Sequence, residues 1–309
     1  MHTIIADNLR KVYSVQKKRT GLSGSVKDLF NPVYEEKVAV KDVSFVIDEG
    51  ELVGFIGPNG AGKTTTLKML SGLLYPTSGS VQVIGHNPWK RQYDFLSQIS
   101  LVMGQKNQLW WDLPAIESFN LAKEIYGLDS AIYKKTLDKL VQMLEITDVL
   151  NVQVRKLSLG QRMKAELVAA LIHSPKILFL DEPTIGLDVV MQQSMRQFLK
   201  EYNKESDGSI ILTSHYMDDV KELCKRVIII DQGSILYDGL LSEVIAKFSK
   251  HKIIEVIKRS GTTTHKVLRA KVAEKASELL KDPTVVDINI KEVEIEDVIR
   301  SVFSGDSKN

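Results

Sequence analysis

The spacing of apolar positions changes several times along the chain, and each change predicts an element. Residues 3–13 and 38–56 are β-rich, and the run from Val43 through Ser44, Phe45 and Val46 to Ile47 shows the alternation of a half-buried strand. A glycine-bounded strand follows at 79–85. Residues 115–150 take up helical spacing, with Ile116, Phe119 and Leu121, then Leu137, Leu140, Val141 and Leu144. Leu167, Val168, Leu171 and Ile172 mark one side of a further helix over 162–173. Short continuous apolar runs at 177–180 and 209–213 are separated by a helical stretch, which is βαβ rhythm and predicts a parallel sheet in an α/β fold. The run 227–230 ends at Asp231, Gln232 and Gly233, a hairpin signal into 234–237.

Past residue 240 the character shifts. Short strands at 252–257 and 285–290 alternate with charged helices at 271–280 and 295–302, predicting a small appended α+β domain over 241–309 without a catalytic constellation. Residues 14–36 interrupt the first β-rich region and carry Lys17, Lys18, Arg19, two glycines and Pro32. This stretch reads as an insertion, a solvated loop with a short helix around 26–30; a membrane-surface or partner contact stays open for it.

Composition narrows the classes. With 309 residues and 43% hydrophobic content, the chain can hold one large α/β domain plus a small one. A net charge of +2 gives no basic sheath for nucleic acid. The single cysteine, Cys224, excludes an internal disulfide, suits a reducing compartment and reads as a small packed residue on a helix. No basic region followed by a long apolar run opens the chain, and no segment reaches 18 apolar residues, so neither a signal peptide nor a membrane span is expected.

The candidate chemistry begins at Gly57, Pro58, Asn59, Gly60, Ala61, Gly62, Lys63 and Thr64, with Thr65 next. This run fits G-x-x-x-x-G-K-[ST] between an apolar strand (51–56) and a helix opening (65–71). Backbone N–H groups of such a turn, with the helix N-terminus behind them, wrap nucleotide phosphates. Lys63 would reach the β- and γ-phosphates, and the Thr64 hydroxyl would ligate Mg²⁺. Residues 177–180 would form a strand beside 51–56 that delivers Asp181 and Glu182 at its C-terminal end, where open α/β sheets bind ligands. Asp181 would hold Mg²⁺ through water; Glu182 would polarise the attacking water, a role worth roughly 10²–10⁴ in rate. Ser158 reads as the N-cap of a helix beginning with Leu159, Gly160 and Gln161. That helix end is a second phosphate site. One nucleotide does not need two within one subunit, so this one makes sense closing onto a nucleotide held by another copy.

In these motifs the chain resembles the ATP-binding subunits of ABC transporters. The loop at 57–64, the signature at 157–161, Asp181 and Glu182, the run 185–188 and His215 follow the family's order and spacing over residues 1–240. Residues 102–114, the signature variant and the 14–36 insertion are similar to the ATPases of ABC-2-type exporters. The resemblance implies a P-loop NTPase core: a mixed sheet with a RecA-like lobe, an antiparallel β subdomain, and a helical subdomain at about 106–165 that grips membrane subunits. It further implies that Gln105 senses metal and water, that His215 contacts the γ-phosphate and orients the water, and that Asp188 bridges to the opposite subunit. Tyr13 would stack on adenine, an interaction worth ~1–3 kcal/mol. The implied protein is an ATPase using ATP and Mg²⁺, a homodimer on the cytoplasmic face of the membrane, with integral-membrane permease subunits as partners and export as the direction. One departure is Leu159, where the family has glycine. Trp110 and Trp111 lie where the family meets its permease; a hot spot and core packing are both open.

Other classes explain less. A soluble ABC ATPase acting on ribosomes or DNA usually carries two motif sets or a long coiled coil. A P-loop kinase or GTPase would leave 157–161 and His215 idle. A regulatory protein with a degenerate site would not need an intact Glu182 and His215.

Overall fold

The computed structural model describes residues 2–17, 32–104, 106–214 and 216–304. Gln105, His215 and the core of the 14–36 insertion therefore lie outside the described residues. The chain divides into two compact units between Asp238 and Gly239.

The first unit opens with three antiparallel strands, β1 (His2–Gln16), β2 (Tyr34–Asp48) and, later in the chain, β4 (Ser78–Val83), in the order β2-β1-β4. The β1–β2 pairing continues to Ser14 with Glu36 and Gln16 with Tyr34. Both ends of the expected insertion are thus strand rather than loop, because the ladder satisfies their backbone groups better than solvent does.

Next in the chain come β3 (Leu52–Ile56), a strand of the second sheet, and helix α1 (Lys63–Leu70). The second sheet adds β5 (Ile99–Met103), β6 (Ile177–Asp181), β7 (Ser209–Thr213), β8 (Arg226–Asp231) and β9 (Ser234–Leu240), in the order β5-β6-β7-β3-β8-β9. β5, β6, β7, β3 and β8 run parallel. The expectation that residues 177–180 sit beside the 51–56 strand is corrected here: β7 lies between them. Each parallel neighbour needs a crossover, and the apolar 209–213 run, buried throughout, takes the central place. The β8–β9 hairpin turns on Gln232 (φ 47°) and Gly233 (φ 79°), both left-handed as a two-residue turn demands.

The core lies between the antiparallel sheet and the parallel one, around α1. Leu67, Met69 and Leu70 from the helix meet Ile4, Phe45, Val83, Phe179 and Ile228, all nearly or wholly buried. Phe45 and Phe55 pack with ring centroids 5.8 Å apart. Burial of each such side chain contributes about 1.5–3 kcal/mol, which fixes β3 and α1 and hence the turn joining them.

Helices α2 (Tyr93–Leu96), α3 (Ala115–Tyr126) and α4 (Ser130–Leu144) precede α5 (Leu159–Leu171). Asp129 caps α4, accepting from the backbone N–H of Ala131 (2.8 Å) and Ile132 (3.1 Å). Phe119, Leu137, Leu140 and Leu144 are the buried face of α3 and α4. Helices α6 (Val189–Glu205) and α7 (Met217–Leu223) complete the unit. Cys224 caps α7 and is buried; burial pushes its thiol well above the usual range, with Asp219 adding to the shift.

The second unit is an antiparallel sheet of β10 (His251–Lys258), β11 (Gly261–Leu268) and β12 (Val285–Glu292) in the order β11-β10-β12. Helices α8 (Leu241–Phe248), α9 (Val272–Leu279) and α10 (Ile295–Ser304) accompany it, with Val244, Ile254, Val256, Val298 and Ile299 buried. No helix among the described residues is long and apolar enough to cross a membrane.

Candidate functional site

The turn from β3 to α1 is shaped by what glycine permits. A Cβ on Gly57 would stand 2.2 Å from the Ile230 carbonyl oxygen, so no side chain fits there. Gly62 combines φ of 111° with a Cβ position 2.7 Å from the Ala39 oxygen. The β8–β9 turn buttresses the loop from behind, Gly233 N–H donating to the Ala61 carbonyl at 3.0 Å. Gly62 makes no side-chain cap, so the first amides of α1 are left to whatever the loop holds. Lys63 is buried, and its Nζ donates to the carbonyls of Gly57 (2.7 Å) and Pro58 (3.2 Å). Burial lowers the ammonium's pKa, while Glu182 and Asp181 work against that shift.

From the other side come β6 and its neighbours. Asp181 Oδ1 accepts from the Thr64 hydroxyl (3.1 Å) and the Thr213 hydroxyl (2.7 Å), tying α1, β6 and β7 together. Glu182 follows in a left-handed conformation (φ 54°) unusual for its type. Its N–H is held by the Thr213 carbonyl and hydroxyl, both at 3.0 Å. Gly104, at the end of β5, makes this approach possible: a Cβ there would stand 2.1 Å from the Glu182 oxygen. Strain of this kind costs of order 1–3 kcal/mol and persists where surrounding structure imposes it. Thr184, Ser214 and Arg196 converge on the fully buried Asp219 (2.5, 2.7 and 3.1 Å), fixing the chain two residues after Glu182 and just before His215.

These groups face one cleft of about 730 Å³, open to solvent. Tyr13, Asn59, Gly60, Gly62, Lys63, Thr64, Thr65, Asp181 and Glu182 line it. Gly57, Pro58 and Ala61 form the loop behind it. Tyr13 stands across the β1–β2 ladder from Lys37, with the Lys11 ammonium 5.3 Å from its ring centroid. The structure thus brings together the residues of the phosphate loop, the acidic pair and the aromatic.

Ser158, Gly160, Gln161 and Asp188 are placed elsewhere, none of them lining that cleft. Ser158 and Gln161 form a capping box, with Ser158 Oγ accepting from Gln161 N–H (3.2 Å) and Gln161 Oε1 accepting from Ser158 N–H (3.0 Å). Asp188 caps α6, accepting from Met191 N–H at 2.8 Å. The two helix ends are packed together: a Cβ on Gly160 would meet Met191, and Leu159 Cδ2 lies 3.1 Å from a Cβ position on Gly186. Leu159 therefore finds its room against the 185–188 turn. Trp110 and Trp111 are exposed at 57% and 45%, which removes core packing as their role.

Thr213, Gly104 and Asp219 also shape the site, yet Thr213 and Asp219 have no local motif that marks them. Only Gly104, directly before Gln105, carried a local signal, since a glycine at a strand end marks close backbone approach.

A loop that offers amides and a buried lysine, facing two carboxylates and a threonine hydroxyl at the C-terminal ends of parallel strands, defines a P-loop nucleotide-hydrolysing protein. Residues 40–185 match the family described as ABC transporter. Over 206 residues the chain is 36% identical to the ABC transporter ATP-binding protein NatA of Bacillus subtilis (strain 168), covering 67% of this chain and 83% of that protein. The linearmycin resistance ATP-binding protein LnrL of the same organism is 34% identical over 223 residues, 72% of this chain and 71% of the relative. A solved ATP-binding cassette, dimeric in a post-hydrolysis state with ADP and Pi, superposes with a TM-score of 0.63 at 25% identity over 77% of this chain and 98% of that one. The chain belongs to the ATP-binding proteins of ABC transporters: it binds ATP, and it is the ATPase that drives transport.

Proposed function

We propose that two copies of this chain close head-to-tail around two ATP molecules, each held between the phosphate loop of one copy and the Ser158 helix end of the other, with a twofold axis making the sites equivalent. One observation carries this reading: Ser158 and Asp188 sit exposed at two helix ends packed against each other, outside the cleft that gathers Lys63, Thr64, Asp181 and Glu182. Loop amides and Lys63 bind the phosphates, Tyr13 stacks on the base, and Glu182 takes the proton of the attacking water while His215 orients it. Gln105 links that water to the loop that follows. The hard oxygens of Thr64 and Asp181, 3.1 Å apart, suit a magnesium ion, with Gln105 as a further ligand. Such an ion, when bound, offsets charge on the β- and γ-phosphates. The partner's helix end reaches the γ-phosphate only in the closed pair, so hydrolysis releases the pair, as in other phosphate-gated switches.

In this reading separate integral-membrane permease subunits convert closure into transport, with the exposed Trp110 and Trp111 as the docking point on the cytoplasmic face. Export is the favoured direction, supported by the likeness to a resistance protein. Residues 1–240 would be the ATPase and 241–309 an accessory domain. Gentle isolation of the chain from its native membranes tests the proposal. Stoichiometric recovery with polytopic membrane proteins is expected; recovery with ribosomes or DNA would make it a soluble ABC ATPase instead.

A further inference from the structure

Glu166 lies eight residues past Ser158 on α5 and is 4% exposed. A carboxylate is a costly choice for a packed helix face unless its oxygens are engaged. Its Oε1 accepts from two successive loop amides, Gln108 N–H at 2.8 Å and Leu109 N–H at 3.3 Å. Its Oε2 is buried without a partner among the described residues. Burial pushes this carboxyl's pKa up, against the pull of the two amides and of Arg162.

The two amides immediately precede Trp110 and Trp111. One turn earlier on the same helix, the Arg162 guanidinium stands 5.4 Å from the centre of the Trp111 ring. The loop also has a fixed end at the cleft, where Gly104 N–H donates to the Asp181 carbonyl at 2.9 Å. A stretch of loop running from the acidic strand end to an exposed aromatic pair is therefore fastened to the helix whose first residue follows Ser158. A small apolar residue at 166 would fill the helix face but leave both loop amides unpaired.

We infer that Glu166 is a positioning residue that makes the 106–111 loop and the Ser158 helix move as one body, so that force on Trp110 and Trp111 reaches the helix end that closes on the partner's nucleotide. The inference rests on the head-to-tail reading above. It assigns Glu166 no contact with ATP, and this separates it from a residue of the cleft.

The test uses the full chain carrying Glu182→Gln to hold the closed state, with and without Glu166→Ala, Glu166→Gln or Arg162→Ala. Deuterium exchange is read at Gln108 and Leu109, ATP affinity on dilute monomer, and ATP-driven dimerisation by light scattering. Glu166→Ala should speed exchange at both amides and weaken dimerisation about tenfold, the scale of a lost hydrogen bond to a charged group, while monomer ATP affinity changes less than about twofold. Glu166→Gln keeps an acceptor oxygen and should restore both readouts. Arg162→Ala, on the outer side, should shift dimerisation in the same direction by less. Wild-type dimerisation in Glu166→Ala despite faster exchange overturns the link. So does a parallel loss of monomer affinity and dimerisation that glutamine fails to rescue, which would mark a purely structural residue. If the parent chain does not dimerise with ATP at all, the head-to-tail reading has failed and the inference falls with it; light scattering on the parent separates that case from a loss confined to Glu166→Ala.

Discussion

At the end of β3, the groups around the phosphate loop are held by other parts of the same chain. Lys63 is tied to two loop carbonyls, Asp181 to threonines from a helix and a neighbouring strand, and Glu182 to β7. At the N-termini of α5 and α6 the polar side chains hold only their own helices, Ser158 through Gln161 and Asp188 through Met191. The first region is preorganised by long-range contacts and can bind by itself. The second is locally complete and exposed, with nothing of its own cleft to act upon. The difference teaches that the two regions should fail separately: damage to the first removes binding and chemistry in one copy, and damage to the second removes only what two copies do together.

The largest effect should come from Glu182→Gln, which keeps shape and removes the base. Turnover should drop by roughly 10²–10⁴ with ATP affinity retained, measured as phosphate release against nucleotide binding. Near-normal turnover would take Glu182 out of the base role. Lys63→Ala should follow, weakening ATP binding about ten- to a hundredfold, the value of one charge-assisted hydrogen bond; unchanged affinity by calorimetry would sink the loop assignment. The smallest effect belongs to the second region. Leu159→Gly removes the side chain that fills the space beside the 185–188 turn and should cost about 1 kcal/mol of stability, seen as a lower Tm, with monomer ATP affinity unaltered. A loss of ATP affinity there would break the separation between the regions.

What the sequence disclosed follows the same division between local and distant causes. The phosphate loop, the Ser158 cap and the β8–β9 turn were legible because each needs particular residue types within a few positions. The partners that make them a site were not. Thr213 looks like the end of any buried strand, and its role arises only because β7 lies beside β6, an order that periodicity does not encode. Asp219 gives no signal on its own helix; its meaning comes from Thr184, Ser214 and Arg196, brought in from three other places. Strand β11 carries no signal of its own, because its first four residues, Gly261, Thr262, Thr263 and Thr264, are exposed and show no apolar alternation. Tyr13 lines the cleft from β1, a position that follows from the β1–β2 ladder rather than from any local motif.

The most direct measurement is light scattering on the full chain with Glu182→Gln, with and without added ATP, compared with the same chain also carrying Ser158→Arg. The account predicts an ATP-dependent dimer for the first and a monomer that still binds ATP for the second. A dimer that persists with arginine at 158, or a Glu182→Gln chain that stays monomeric at saturating ATP, would contradict it.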